Sequence, residues 1–149
     1  MRDFIDNLKR EAIERNYQIG FDKADDRNEQ IIEFLKESGL AFKLDPPGND
    51  LFAHAFLIDQ PTYTFAIYVR FDRNFFTALA FKKYKQVRIP VDDEDLINKS
   101  LGPIFSYLEN LGLTRVDVGQ LMTAELGEGP LAAGLTGNKL FSVFIEDSW

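Results

Sequence analysis

Three turn signals divide residues 40–89 into short apolar segments, and they constrain the fold more than any other feature of the chain. The first, Asp45–Asp50, holds two prolines and a glycine, and Asp59–Pro61 and Asp72–Asn74 follow at short intervals. Segments joined by such turns pair as antiparallel strands. The pattern predicts a meander with strands at Leu40–Leu44, Leu51–Ile58, Thr62–Phe71 and Phe75–Tyr84, while Val87–Ile89 either extends the fourth strand or starts a fifth.

Helical periodicity precedes this region. Apolar residues recur at helical spacing over residues 3–17 and again over residues 24–38. Asp22 or Asp25 is placed to cap the start of the second helix. The chain therefore begins with two helices, each with an apolar stripe that another element must cover.

A third helix is predicted after the meander. Pro90 is expected to end the sheet, and Asp92 is expected to cap a helix that reaches Leu111. Gly102-Pro103 should kink this helix or split it in two.

The remaining residues give mixed signals. Thr114–Val118 alternates like a strand, whereas the apolar residues between 118 and 126 suit a helix, and both interpretations stay open. Leu140–Ile145 is expected to form the last strand.

Together these elements predict one domain of α+β class, residues 1–149, with the order α-α-β-β-β-β-α-β-β. The chain has 14 phenylalanines in 149 residues, enough to fill an aromatic core or to line a pocket or interface. We expect two layers, in which the phenylalanine-rich face of an antiparallel sheet packs against the helices.

The residues available for chemistry are few. The chain has no cysteine, which excludes disulfides, thiolate catalysis and cysteine-based metal sites. With His54 as its one histidine, neither a serine–histidine–aspartate nor a cysteine–histidine triad is readily assembled. The N-terminus is charged, and no stretch approaches the ~20 apolar residues of a membrane span. The sequence predicts a soluble, cytoplasmic protein without catalytic activity, cofactor or metal.

His54 lies in the predicted strand on the same face as Phe52 and Phe56. A single histidine in such a place is more often a hydrogen-bonded core or interface residue than a catalytic base. These three residues form a candidate pocket.

Charge is distributed unevenly along the chain. Residues 1–90 hold 14 acids and 14 bases, whereas residues 91–149 hold ten acids and three bases. The acids at 92–95 suit the start of a helix. The basic residues around 82–88 suit a protected edge strand, the binding of RNA or single-stranded DNA, or contact with the acidic helix start of a second copy in an antiparallel pair. The acidic balance opposes general nucleic-acid binding. The candidate interaction surface comprises Asp92, Asp93, Glu94, Asp95, Lys82, Lys83, Tyr84, Lys85 and Arg88.

The order of elements over residues 24–145 resembles that of the type III secretion chaperone-like superfamily, which includes bacterial sensory-transduction-regulator domains. The helix Ala24–Ser38, the meander from Leu40 to Ile89, the helix from Asp93 and the closing strand Leu140–Ile145 carry this resemblance. It implies a non-enzymatic dimer that binds segments of other proteins.

The sequence thus predicts a protein-binding domain, such as a chaperone, adaptor, regulator or inhibitor, with another protein or a second copy as partner. One alternative is a domain that binds a small hydrophobic ligand in a phenylalanine-lined pocket. Another is an acidic inhibitor, of viral or other origin, that imitates the charge of a nucleic acid.

Overall fold

The computed structural model describes residues 2–84, 87–91, 93–123 and 139–146. Within these residues the chain forms five α-helices and a six-stranded, mainly antiparallel sheet, so the predicted α+β class is confirmed. The elements are α1 (Arg2–Glu14), α2 (Asp26–Glu37), β1 (Phe42–Asp45), β2 (His54–Asp59), β3 (Tyr63–Arg70), β4 (Phe75–Tyr84), β5 (Val87–Val91), α3 (Glu94–Asn110), β6 (Thr114–Arg115), α4 (Val118–Thr123) and α5 (Leu140–Phe144).

The predicted meander is present, because β1 to β5 pair in chain order and each pair is antiparallel. A single 3-10 turn, Phe71–Arg73, joins β3 to β4. The two-residue strand β6 adds a parallel pairing at the start of β4, where the N–H of Val116 donates to the carbonyl of Phe76 at 2.9 Å.

Pro90 does not end the sheet as predicted. It lies inside β5, opposite Phe81 of β4. Because β5 is an edge strand of the described sheet, the missing N–H of a proline can face away from the ladder without breaking a pairing bond.

Helices cover both faces of the sheet, so the domain has three layers and the predicted two are wrong. Along β3, Ala66 and Tyr68 pack into a core with α1, α4 and α5, whereas Ile67 and Val69 pack into a second core with α2 and α3. Alternating side chains point to opposite faces of a strand.

Two carboxylates cap the helices on the second face. Asp25 accepts a hydrogen bond from the N–H of Arg27 at 2.9 Å, and Asp93 accepts one from the N–H of Leu96 at 3.0 Å. Pro103 lies inside α3 and does not divide it. Burial of neighbouring residues such as Leu101 and Phe105 against the sheet offsets the hydrogen bond that the proline cannot donate.

Leu140–Ile145, predicted as a closing strand, instead begins with helix α5. All five α5 residues are buried, because the helix packs against α1, α4 and the sheet. A short run of apolar residues lacks the periodicity that would distinguish a buried strand from a buried helix. Of the two interpretations left open before it, Thr114–Arg115 is a strand and Val118–Thr123 is a helix. None of the described helices combines the length and the apolarity that crossing a bilayer requires.

Candidate functional site

A group of charged residues, with Asp22 and Arg70 buried at its centre, lies where β3 meets the turn to β4. The guanidinium of Arg70 is fully buried, and it donates to both carboxylate oxygens of Asp72, Nε to Oδ1 at 3.1 Å and Nη2 to Oδ2 at 2.8 Å. Its Nη1 donates to the carbonyls of Gly20 and Phe144, each at 3.1 Å. One side chain therefore ties together the segment after α1, the end of α5 and the β3–β4 turn.

Asp22 holds the same turn from the other side. Its Oδ2 accepts from the N–H of Phe71 at 2.8 Å, and its Oδ1 accepts from the N–H of Asp72 at 3.0 Å. Burial raises the pKa of Asp22 to about 6, although the two amide hydrogen bonds act in the opposite direction. Asp22 is thus a turn-holding residue, and the cap of α2 is Asp25.

Asp72 and Arg73 connect this group to α1. The Nε of Arg73 donates to Oε1 of Glu11 at 3.0 Å, and its guanidinium also pairs with Asp72. Burial alone would raise the pKa of Asp72, but the hydrogen bonds and positive charge of Arg70 outweigh it and hold that pKa below its usual value. We call Glu11, Asp22, His54, Arg70, Asp72 and Arg73 the Arg70 cluster.

His54 contacts this cluster without joining its hydrogen bonds. Its Nε2 lies 3.5 Å from Oδ2 of Asp22 and has no hydrogen-bond partner among the described residues, and its ring packs edge-on against Phe71. Burial and the charge of Arg70 lower the pKa of His54, which favours the neutral form of the imidazole. Both carboxylate oxygens of the neighbouring Asp22 accept hydrogen bonds from backbone amides, so this carboxylate stabilises the β3–β4 turn. The described residues contain no group of three or more histidine or acidic side chains placed to hold a metal ion.

The candidate pocket is partly assembled. His54 and Phe56 line an open depression of about 320 Å³ together with Leu44, Pro46 and Asn28, the last from the first turn of α2. We call this depression the β1 groove. Phe52 does not line it, because its ring packs against Phe21 with centroids 5.6 Å apart.

Strand β1 borders this groove and forms one edge of the described sheet. The N–H of Asp59 donates to the carbonyl of Ala41 at 3.0 Å, and bonded and non-bonded pairs alternate along an antiparallel ladder. Lys43 and Asp45 therefore bond towards β2, while the backbone N–H and C=O groups of Phe42 and Leu44 point away from the sheet.

The predicted interaction surface is divided by the structure. Asp93 caps α3 and Glu94 pairs with Arg115 at 3.0 Å, whereas Asp95 is exposed. Lys83 pairs with Asp59 and donates to the carbonyl of Gln60 at 2.7 Å, so it serves the β2–β3 turn. Lys82 is exposed on β4, Tyr84 ends β4 and Arg88 lies in β5, while Lys85 and Asp92 lie outside the described residues.

Sequence reasoning missed both the Arg70 cluster and the exposed edge of β1. The arginine was the only signal for the cluster, since an arginine in a strand otherwise made of apolar and small residues must be either exposed or paired. No family model, curated protein or solved structure matches the chain. The resemblance to the type III secretion chaperone-like superfamily stays a prediction.

Proposed function

We propose that this chain is a protein-binding domain that takes an extended segment of another protein as an added strand beside β1. The observation that carries the proposal is the edge itself: Phe42 and Leu44 direct N–H and C=O groups away from the sheet, and no described strand lies beside them. Added strands bind through such main-chain groups, and alternate side chains then fill neighbouring pockets.

The β1 groove supplies that neighbouring pocket. Leu44 is 39% exposed, and it lies opposite Phe56 on the face of the sheet where the groove opens. An apolar side chain of the added segment would bury surface against Leu44, Pro46 and Phe56, which favours binding. The opposite edge is less suited to such pairing, because β5 contains Pro90, which has no N–H.

A selection from random linear peptides on the immobilised protein tests the proposal. The selected peptides should bind Leu44→Ala more weakly, and Leu44→Pro about tenfold more weakly again, because proline removes one outward N–H and places its ring at the edge. The bonds from β1 to β2 do not use that N–H, so the variant should keep a cooperative unfolding transition. Ile13→Ala, at an exposed residue of α1, is the matched control and should bind like wild type.

Equal binding to Leu44→Pro and Leu44→Ala would contradict strand addition, as would failure to select any peptide. This proposal makes the chain a chaperone, adaptor, regulator or inhibitor that acts by direct contact, without catalysis.

One observation favours a second candidate, the binding of a small apolar ligand. Leu79, Val91, Ile97, Val118 and Met122 line a mostly apolar depression of about 300 Å³ between β4, β5, α3 and α4. Titration with a fluorescent fatty acid tests this function. Binding that Val118→Asp abolishes would support it, and binding that the variant leaves unchanged would remove it.

A further inference from the structure

We infer that the segment accepted by β1 belongs to a different protein and carries an acidic residue between two apolar ones. The inference rests on the proposed function and specifies its partner. It follows from Lys43, the central residue of the exposed edge.

Lys43 is exposed on the face of β1 opposite the groove, and the structure shows no ion pair or hydrogen bond for its ammonium group among the described residues. On an added strand, the residue directly opposite Lys43 would have its Cβ about 5 Å away on the same face. An opposite charge at that distance stabilises the pair, whereas a like charge destabilises it. The best residue opposite Lys43 is therefore aspartate or glutamate.

The two neighbours of that acidic residue point to the other face of the sheet. They lie opposite Phe42 and Leu44, where the β1 groove and the partly exposed leucine favour apolar side chains. The resulting pattern, apolar–acidic–apolar, is the same when read in either direction, so it holds for parallel and antiparallel addition. Asp45 lies on the same face of β1, two residues after Lys43. An acidic residue opposite Asp45 would meet a like charge, so the acidic preference applies only to the position opposite Lys43.

The same residue disfavours a second copy of this chain as the occupant. If two β1 strands paired antiparallel about their central residue, Phe42 of one would face Leu44 of the other and Lys43 would face Lys43. Sliding the strands one way brings Lys43 opposite Asp45 but places Pro46, which has no N–H to donate, opposite Phe42. Sliding them the other way places Leu44 opposite Leu40, which lies outside β1, so that within the strand only Phe42 pairs with its counterpart. Self-pairing therefore either opposes like charges or pairs fewer backbone groups of the strand.

The test repeats the peptide selection on Lys43→Glu, with Lys99→Glu, an exposed residue of α3, as a control of equal charge change. Wild type and Lys99→Glu should enrich the apolar–acidic–apolar pattern, and replacing the acidic residue by alanine should weaken binding about threefold. Lys43→Glu should instead enrich lysine or arginine at that position. In sedimentation experiments the wild-type protein should not form a dimer through β1, which would be recognised because Leu44→Pro would dissociate it.

Two outcomes would overturn the inference and leave strand addition intact. Peptides that need the β1 edge, as judged by Leu44→Pro, but show no acidic preference would remove the role of Lys43. A dimer dissociated by Leu44→Pro would make a second copy the occupant. Peptides insensitive to Leu44→Pro would contradict the proposed function itself.

Discussion

Arg70 and Asp72 form a two-bond ion pair in which the guanidinium is shielded completely from solvent, with Nε–Oδ1 and Nη2–Oδ2 distances of 3.1 and 2.8 Å. The remaining Nη1 is also used, by the carbonyls of Gly20 and Phe144. A buried charge contributes to stability only when its geometry and hydrogen bonds are complete, and removing one partner leaves the other uncompensated.

Replacing Arg70 should therefore be severely destabilising. Arg70→Met leaves Asp72 with only Arg73 as an ion-pair partner and leaves the buried carbonyl of Phe144 and the carbonyl of Gly20 without this donor, and we expect a loss of about 2–4 kcal/mol in the free energy of unfolding. Urea denaturation followed by circular dichroism measures this loss. Arg15→Met, which removes an exposed pair with Glu11 within α1, should cost no more than about 0.5 kcal/mol. Similar losses in the two variants would show that the buried pair has no special role.

Asp22 should give the protein a dependence of stability on pH between about 4 and 6. Its pKa rises from 3.8 in the unfolded chain to about 6 in the folded protein, so the folded state binds the proton more tightly. The stability that this proton provides is complete below pH 4 and is lost as the pH rises through 6. Asp22→Asn should remove this decrease, which amounts to about 3 kcal/mol for a shift of this size.

The measurement is the difference in unfolding free energy between wild type and Asp22→Asn at intervals from pH 4 to pH 7. Asp72, whose pKa is lowered, contributes stability that is lost only as the pH falls below about 4, so its effect lies outside this window. Asp95→Asn, at an exposed position, should leave the wild-type slope unchanged. A slope that survives Asp22→Asn would mean that another group is responsible.

Asp93 should contribute to the stability of α3 as its cap. Asp93→Ala removes the acceptor for the N–H of Leu96 and should cost about 1 kcal/mol, whereas Asp95→Ala should cost only a few tenths. Thermal unfolding of both variants distinguishes the cap from a general effect of negative charge. If the two variants lose equal stability, the capping bond is not the cause.

Sequence patterns that repeat over many residues predicted the fold well. The alternation in residues 62–71 and the turns around it located the meander, and the stripe along α3 located the longest helix. The wrong predictions concern short segments whose secondary structure depends on the residues packed around them. Leu140–Phe144 is helical because every one of its faces meets other apolar surface, and no local period records that.

The candidate site was less predictable than the fold. His54 and Phe56 line the same groove because they share a strand face, but Phe52 lies before the start of β2, where that alternation no longer holds. Arg70 and Asp22 are 48 positions apart, and only the tertiary structure brings them to the same turn. The position of β1 at an edge of the described sheet depends on the order of the strands, which the sequence of β1 alone does not reveal.

Amide hydrogen exchange at β1 tests the central claim most directly, because it reports on the backbone groups that the added strand would use. In the free protein the N–H groups of Phe42 and Leu44 should exchange faster than those of Lys43 and Asp45, which bond towards β2. Adding a peptide selected on the wild-type protein should slow exchange at Phe42 and Leu44. If both amides exchange at the same rate with and without a bound peptide, that peptide binds elsewhere and strand addition at β1 is wrong.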